Sequence, residues 1–247
     1  MPSKKTDMNT VEEHITHPSQ LSPKAKPERH VQPFDFKNNI SWRIFRILSE
    51  FIDGFEFISE LKHPVTIFGS ARTGENEKEY KQARLLAKKL GKAGYTIVTG
   101  GGPGIMEAAN RGAVEVKAES IGLNIQLPYE QRMNKWVQRG IGFYYFFSRK
   151  TMMSTSSRAY VFFPGGFGTL DEFFTIATLI QNGKIDKRPL ILFGCEYWCD
   201  LDAFIRKRML QDGAISKKDA QLYTITDDMD EVLRLVKKAK GRQFTFM

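Results

Sequence analysis

Phe162-Phe163-Pro164-Gly165-Gly166-Phe167-Gly168-Thr169-Leu170-Asp171-Glu172 reads as the end of a buried strand, a glycine-rich turn and the first turn of a helix. Exposed backbone N–H groups at such a helix start can hold a phosphate. Glu172 stands one turn inside that helix, close to where the sugar attached to the phosphate would lie. A phosphate cradle with a carboxylate beside it points to chemistry on a nucleotide rather than to binding alone.

Outward from this stretch, short apolar runs alternate with helical patterns. Strands are predicted at 65–68, 95–98, 120–127, 140–145, 159–163 and 189–193, with a weak one at 222–226. Helices are predicted at 76–92 (ended by Gly91 and Gly94), from the Gly100–Gly104 turn to about 116, from about 147, after Pro164, at about 197–211 and at 228–239. Near-continuous apolar strands alternating with helices predict an α/β fold: a Rossmann-like, doubly wound parallel sheet with helices on both faces. Before it, Ile44, Phe45, Leu48, Phe51, Ile52 and Phe55 recur at helical spacing, which makes 40–61 an amphipathic helix. It packs on the core or forms an interface between two copies. Residues 1–39, rich in Pro, Lys, Ser, His and Glu without periodicity, are expected to form a disordered tail, leaving 40–247 as a single domain.

In such a sheet every strand-to-helix loop opens on one edge, so Gly69-Ser70-Ala71-Arg72, Gly100–Gly104 and Pro164–Thr169 can converge. The loop at 100–104 is not the dinucleotide fingerprint, because Ile105 stands where the third glycine belongs, and no P-loop motif occurs. Glu107 follows it, either for a ligand or for the helix dipole. In the loop at 165–169 Gly165, Gly166 and Gly168 allow close approach of an anion, and Thr169 can cap the helix and also offer its hydroxyl to a phosphate oxygen. Asp171 and Glu172 follow, and Glu172 reads equally as a catalytic residue or, with Asp171, as an ordinary dipole complement. Arg149-Lys150, after the run Phe143-Tyr144-Tyr145-Phe146-Phe147, reads from composition alone as a surface pair.

The 247 residues fit one α/β domain, and 41% hydrophobic content with 19 Phe supplies a core. The formal net charge is +9, and the last 17 residues carry five cations (Arg234, Lys237, Lys238, Lys240, Arg242) against Glu231. The favoured reading is a solvated helix end, not a nucleic-acid surface, because no basic run is interleaved with aromatics. A positive field still favours phosphates. Cys195 and Cys199 have no histidine near them (His14, His17, His30, His63), so neither a disulfide scaffold nor a metal site is expected. No apolar leader or membrane span is read, which makes the cytoplasm the expected compartment.

Three of these segments together resemble the signature motifs of the LOG family, the cytokinin riboside 5′-monophosphate phosphoribohydrolases also labelled lysine decarboxylases. They are Gly100-Gly101-Gly102-Pro103-Gly104-Ile105-Met106-Glu107-Ala108, Arg149-Lys150, and Pro164 to Glu172. The resemblance covers roughly residues 60–240, and Leu123–Gln131 is similar to the longer bacterial branch. It implies hydrolysis of the N-glycosidic bond of a nucleoside 5′-monophosphate, to free base and ribose 5-phosphate, without a cofactor. It implies Arg149 and Glu172 as catalytic residues. Gly69, Ser70, Gly101, Gly102, Glu107, Lys150, Gly165, Gly166, Phe167, Gly168 and Thr169 are then the substrate-binding set. Glu172 would stabilise positive charge at the anomeric carbon, hold ribose hydroxyls or take a proton from water, while Arg149, never deprotonated, keeps Glu172 ionised. The resemblance further implies a homodimer or larger even assembly. Alternatives are a broader purine or pyrimidine nucleotide nucleosidase and a non-catalytic carrier similar to molybdenum-cofactor carriers, which needs neither Arg149 nor Glu172. A lysine decarboxylase would need a Schiff-base lysine with an acid for the pyridinium nitrogen, and no such pair is marked.

Overall fold

The computed structural model describes residues 40–126 and 133–239. The expected tail, the basic residues Lys240 and Arg242, and 127–131 of the branch-like stretch lie outside the described residues. Helix α1 (Ile40–Ser59) comes first. There follow β1 (Pro64–Phe68), α2 (Lys78–Lys92), β2 (Thr96–Thr99), α3 (Ile105–Val114), β3 (Ser120–Ile125) and β4 (Arg139–Phe143). Then come α4 (Phe146–Thr155), β5 (Ala159–Phe162), α5 (Phe167–Gln181), β6 (Leu190–Phe193), α6 (Cys195–Phe204), β7 (Tyr223–Thr226) and α7 (Met229–Lys238). The expected helix at 197–211 thus begins two residues earlier and widens into π-helical turns over Ile205–Leu210.

All seven strands are parallel, in the order β4-β3-β2-β1-β5-β6-β7. Every residue of β1, β2, β3, β5 and β6 is buried, as strands covered on both faces require. Because strand side chains alternate, each strand feeds two cores. Val65, Ile67, Val161 and Phe163 pack with Leu86 of α2, Ala109 of α3 and Val232 of α7. Phe68, Tyr160 and Phe162 pack on the other side with Ile58 of α1, Met152 of α4, Phe173 of α5 and Trp198 of α6. This is the expected fold class.

Gly91 does not end α2. It lies inside the helix, where a Cβ would stand 2.7 Å from the Ala118 side chain, and the chain turns instead at Gly94 with φ 87°. The strand order reverses between β1 and β5. Their following helices, α2 and α5, leave for opposite cores. A crevice therefore opens beyond the C-terminal ends of β1 and β5, where sheets of this kind bind ligands.

Candidate active site

The three glycine-bearing loops meet at Ser70. Its amide donates to the Pro164 carbonyl at 3.0 Å, and its carbonyl accepts from the Ile105 amide at 3.0 Å. Gly69 and Ser70 therefore form the floor between the other two loops. Gly104 is confined by this contact. It sits at φ 68°, and a Cβ there would run into the Ser70 carbonyl and the Ala71 backbone. Gly104→Ala is expected to cost about 1–3 kcal/mol from backbone strain, with the steric contact in addition, measured as a lower urea midpoint.

The loop at 100–104 is stapled from behind by side chains outside the motif. Asn124 of β3 donates to the Gly100 carbonyl at 3.1 Å, and Thr99 Oγ1 accepts from the Gly101 amide at 2.9 Å. Asn134 donates from its amide to the Gly101 carbonyl at 2.8 Å and from Nδ2 to the Gly102 carbonyl at 2.9 Å. Behind them Asn110, fully buried in α3, accepts from Thr99 and from Asn134 and donates to Ser120. Satisfied on every side, this network fixes the loop rather than leaving it to fluctuate. Gly101 and Gly102 are thereby held at the crevice, and both are buried.

Arg149 and Glu172 come together across this crevice. Arg149, the fourth residue of α4, donates from Nε to the Leu123 carbonyl at 3.1 Å and from Nη1 to Glu172 Oε1 at 2.8 Å. Its Nη2 lies 2.7 Å from where a Cβ on Gly100 would be, so Gly100 makes room for the guanidinium. The surface-pair reading of Arg149 is thus corrected: its side chain is 14% exposed and that of Glu172 is 6% exposed. Lys150 forms the outer counterpart, with Nζ 2.6 Å from Asp171 Oδ2 on the rim.

Burial raises the Glu172 pKa above the usual carboxylate range, and the Arg149 and Lys150 charges offset this only in part. Arg149 acts on Glu172 in the expected direction, favouring the ionised carboxylate, but desolvation outweighs it in the net shift. Glu172 Oε1 is held by Arg149, whereas Oε2 is buried and has no partner among the described residues. A buried carboxylate oxygen left open in this way calls for a ligand atom.

In the loop at 165–169, Gly165 packs under the Thr169 hydroxyl, and Tyr197 of α6 donates to its carbonyl at 2.5 Å. Gly166 and Gly168 face open space, and Phe167 is 93% exposed. The amides of Thr169 and Leu170 both donate to the Gly166 carbonyl, at 3.0 and 3.1 Å. That leaves the amides at 166–168, which helix geometry leaves without intrahelical acceptors, for an anion. Thr169 does not cap the helix. The N-cap is Gly166, and Thr169 is buried in the first turn. Asp171 and Glu172 fall in the second turn, beyond the strongest reach of the dipole, so dipole complementation does not explain them. Glu107 is half-buried in the first turn of α3. Its charge acts on the Tyr80 phenol, whose pKa is raised first by burial, and no bond among the described residues ties it to the Arg149–Glu172 pair.

A family model described as "Possible lysine decarboxylase" matches residues 106–236, more than half of the chain. The chain belongs to this family, the LOG family. The pyrimidine/purine nucleotide 5′-monophosphate nucleosidase of Escherichia coli strain K12 is 30% identical over 178 residues, covering 66% of this chain and 38% of that protein. The chain thus spans well under half the length of that relative. The cytokinin riboside 5′-monophosphate phosphoribohydrolase of Mycobacterium tuberculosis is 28% identical over 159 residues, 60% of this chain and 82% of that protein. Among solved structures, the molybdenum cofactor carrier protein of Chlamydomonas reinhardtii superposes with a TM-score of 0.55 at 24% identity, over 72% of this chain and 97% of that one. That likeness shows the shared fold. No helix among the described residues is long and apolar enough to cross a membrane.

Proposed function

We propose that the protein hydrolyses the N-glycosidic bond of a nucleoside 5′-monophosphate to the free base and ribose 5-phosphate. The observation that carries this reading is the Glu172 carboxylate, buried behind the glycine turn, with Oε1 fixed by Arg149 and Oε2 without a partner among the described residues. The amides at 166–168 seat the 5′-phosphate, which places the ribose over Glu172. As the C1′–N bond breaks, positive charge develops at C1′ and the electron pair leaves with the base, which takes a proton from solvent, matched by the one that Glu172 later releases. Water bonds to C1′ and gives its proton to Glu172, whose negative charge also stabilises the cationic carbon. Arg149 stays protonated throughout and orients the carboxylate. Lys150, held by Asp171, borders the ribose and phosphate positions. The names of the relatives agree with this chemistry.

The substrates favoured are AMP and cytokinin riboside monophosphates. Comparing each nucleotide with its nucleoside tests the phosphate seat: kcat/KM is expected to fall by at least about a hundredfold without the phosphate. Equal use of adenosine and AMP would contradict it. Thr169→Ala, which loosens Gly165, is expected to raise KM for AMP about tenfold with kcat within about twofold. A loss in kcat alone would remove Thr169 from the seat.

The same reading includes a homodimer formed through α1. Ile44, Phe45, Leu48 and Ile52 are each at least half exposed along one helix, beside Phe146 and Phe147 of α4. Leu48→Asp should then give a monomer in light scattering.

A further inference from the structure

The helix that presents Arg149 is poorly specified by its own sequence. Its N-cap residue is Tyr145, which makes no side-chain capping bond, and no acidic residue occupies the first turn. Tyrosine has none of the short oxygen-bearing side chains that cap helices. The cap comes instead from Glu50, in the middle of α1 and 94 residues before Tyr144 in sequence.

Glu50 is 3% exposed. Its Oε1 accepts from the Tyr144 amide at 2.8 Å, and its Oε2 accepts from the Tyr145 amide at 3.3 Å and from Ser148 Oγ at 2.5 Å. Ser148 Oγ also lies 2.9 Å from the Tyr145 carbonyl, closing the turn on itself. At the other end of α4, the buried Arg188 donates to the Thr155 carbonyl at 3.2 Å and to the Ser157 carbonyl at 2.5 Å. An anion at the N-terminus and a cation at the C-terminus both complement the helix dipole. Arg149 follows Ser148 directly, and its amide bonds the Tyr145 carbonyl at 3.2 Å, within the turn that Glu50 holds.

We propose that Glu50 is a positioning residue for Arg149: through the amides of Tyr144 and Tyr145 and the hydroxyl of Ser148, it fixes the turn from which the guanidinium reaches Glu172. The inference rests on the role given to Arg149 above. It extends the site to α1, which lies outside the residues matched by the family model. Apolar packing of α1 alone could anchor the helix. A buried carboxylate spent on three donors of one turn sets the orientation of that turn, because hydrogen bonds are directional and apolar contacts are not.

The test is a double-mutant cycle on adenine release from AMP, with Glu50→Ala, Arg149→Ala and the double variant. Misplacement of about 1 Å at a reacting centre costs up to about a hundredfold, so Glu50→Ala is expected to lower kcat about 10- to 100-fold with KM within about threefold. In the Arg149→Ala background the same change should cost less than about twofold, because its effect passes through Arg149. Glu50→Gln, which keeps an acceptor oxygen, should recover part of the loss. An unchanged kcat in Glu50→Ala, or losses that multiply in the double variant, would overturn the proposal.

A second readout does not depend on turnover. Amide hydrogen exchange at Tyr144–Arg149 should quicken in Glu50→Ala and in the milder Ser148→Ala, while exchange in β5 and α5 stays unchanged. Unaltered exchange in that turn would overturn the proposal even with an inert wild-type enzyme, whereas inert wild type with quickened exchange would refute the proposed activity and leave the positioning intact. Should Glu50→Ala fail to fold, Glu50→Gln and Ser148→Ala carry both readouts.

Discussion

Glu172→Gln is expected to lower kcat for adenine release from AMP by about three orders of magnitude in a protein that still folds. The amide keeps the shape of the side chain and an oxygen for Arg149 Nη1, which sits 2.8 Å from Oε1 in the wild type. On the proposed mechanism it removes both the negative charge that stabilises C1′ and the basic oxygen that takes the proton from water. A drop of less than about tenfold, with the variant folded, would take Glu172 out of the chemistry. Kinetics against pH give a second view of the same residue. Burial raises the Glu172 pKa, so the acidic limb of kcat/KM should lie above the usual carboxylate range and should vanish in the variant.

The same shift predicts how stability varies with pH. A carboxyl whose pKa is higher in the folded than in the unfolded chain binds its proton more tightly when folded. Its stabilising contribution is complete below the unfolded pKa and is lost as pH rises through the raised folded pKa. Wild type should therefore lose thermal stability relative to Glu172→Gln on going from pH 5 to pH 8. The opposite trend in Tm would show that Arg149 outweighs burial.

Arg149→Ala is expected to lower kcat by about two to three orders of magnitude and also to destabilise the fold, by about 3–5 kcal/mol for a buried pair broken on one side. Three contacts converge on this guanidinium: the Leu123 carbonyl, Glu172 and the space left by Gly100. Arg149→Lys keeps the charge but cannot donate in two directions from a planar fork, so it should recover stability better than turnover. Full activity in Arg149→Lys would reduce the residue to a source of charge. Parity of Arg149→Ala with wild type would remove it from the site.

The fold was legible because strands buried on both faces are apolar at nearly every position, and β1, β2, β5 and β6 fell within a residue or two of their expected limits. The local differences arise where a residue serves packing instead of punctuation. Gly91 makes room for Ala118 inside a helix that continues past it, and Thr169 lies inside a helix capped by Gly166.

At the site, Glu172 and the glycine turn were visible because a strand, a turn and a helix start are contiguous in sequence. The burial of Arg149 was not, since Leu123 stands 26 residues before it and supplies a bare carbonyl that no side-chain pattern reports. Asn110 and Asn124 left a faint signal as amides among apolar neighbours. Asn134 and Glu50 left none, because most of their partners are backbone groups of loops and helix ends that lie far from them in sequence.

The most direct measurement of the central claim is product analysis of purified protein incubated with AMP. Adenine and ribose 5-phosphate are expected to appear in equal amounts, with inorganic phosphate neither released nor required, and Glu172→Gln is expected to form both about a thousandfold more slowly. Adenosine with free phosphate, or tight AMP binding with no product across the nucleoside monophosphates, would contradict glycosidic-bond hydrolysis at the Arg149–Glu172 pair.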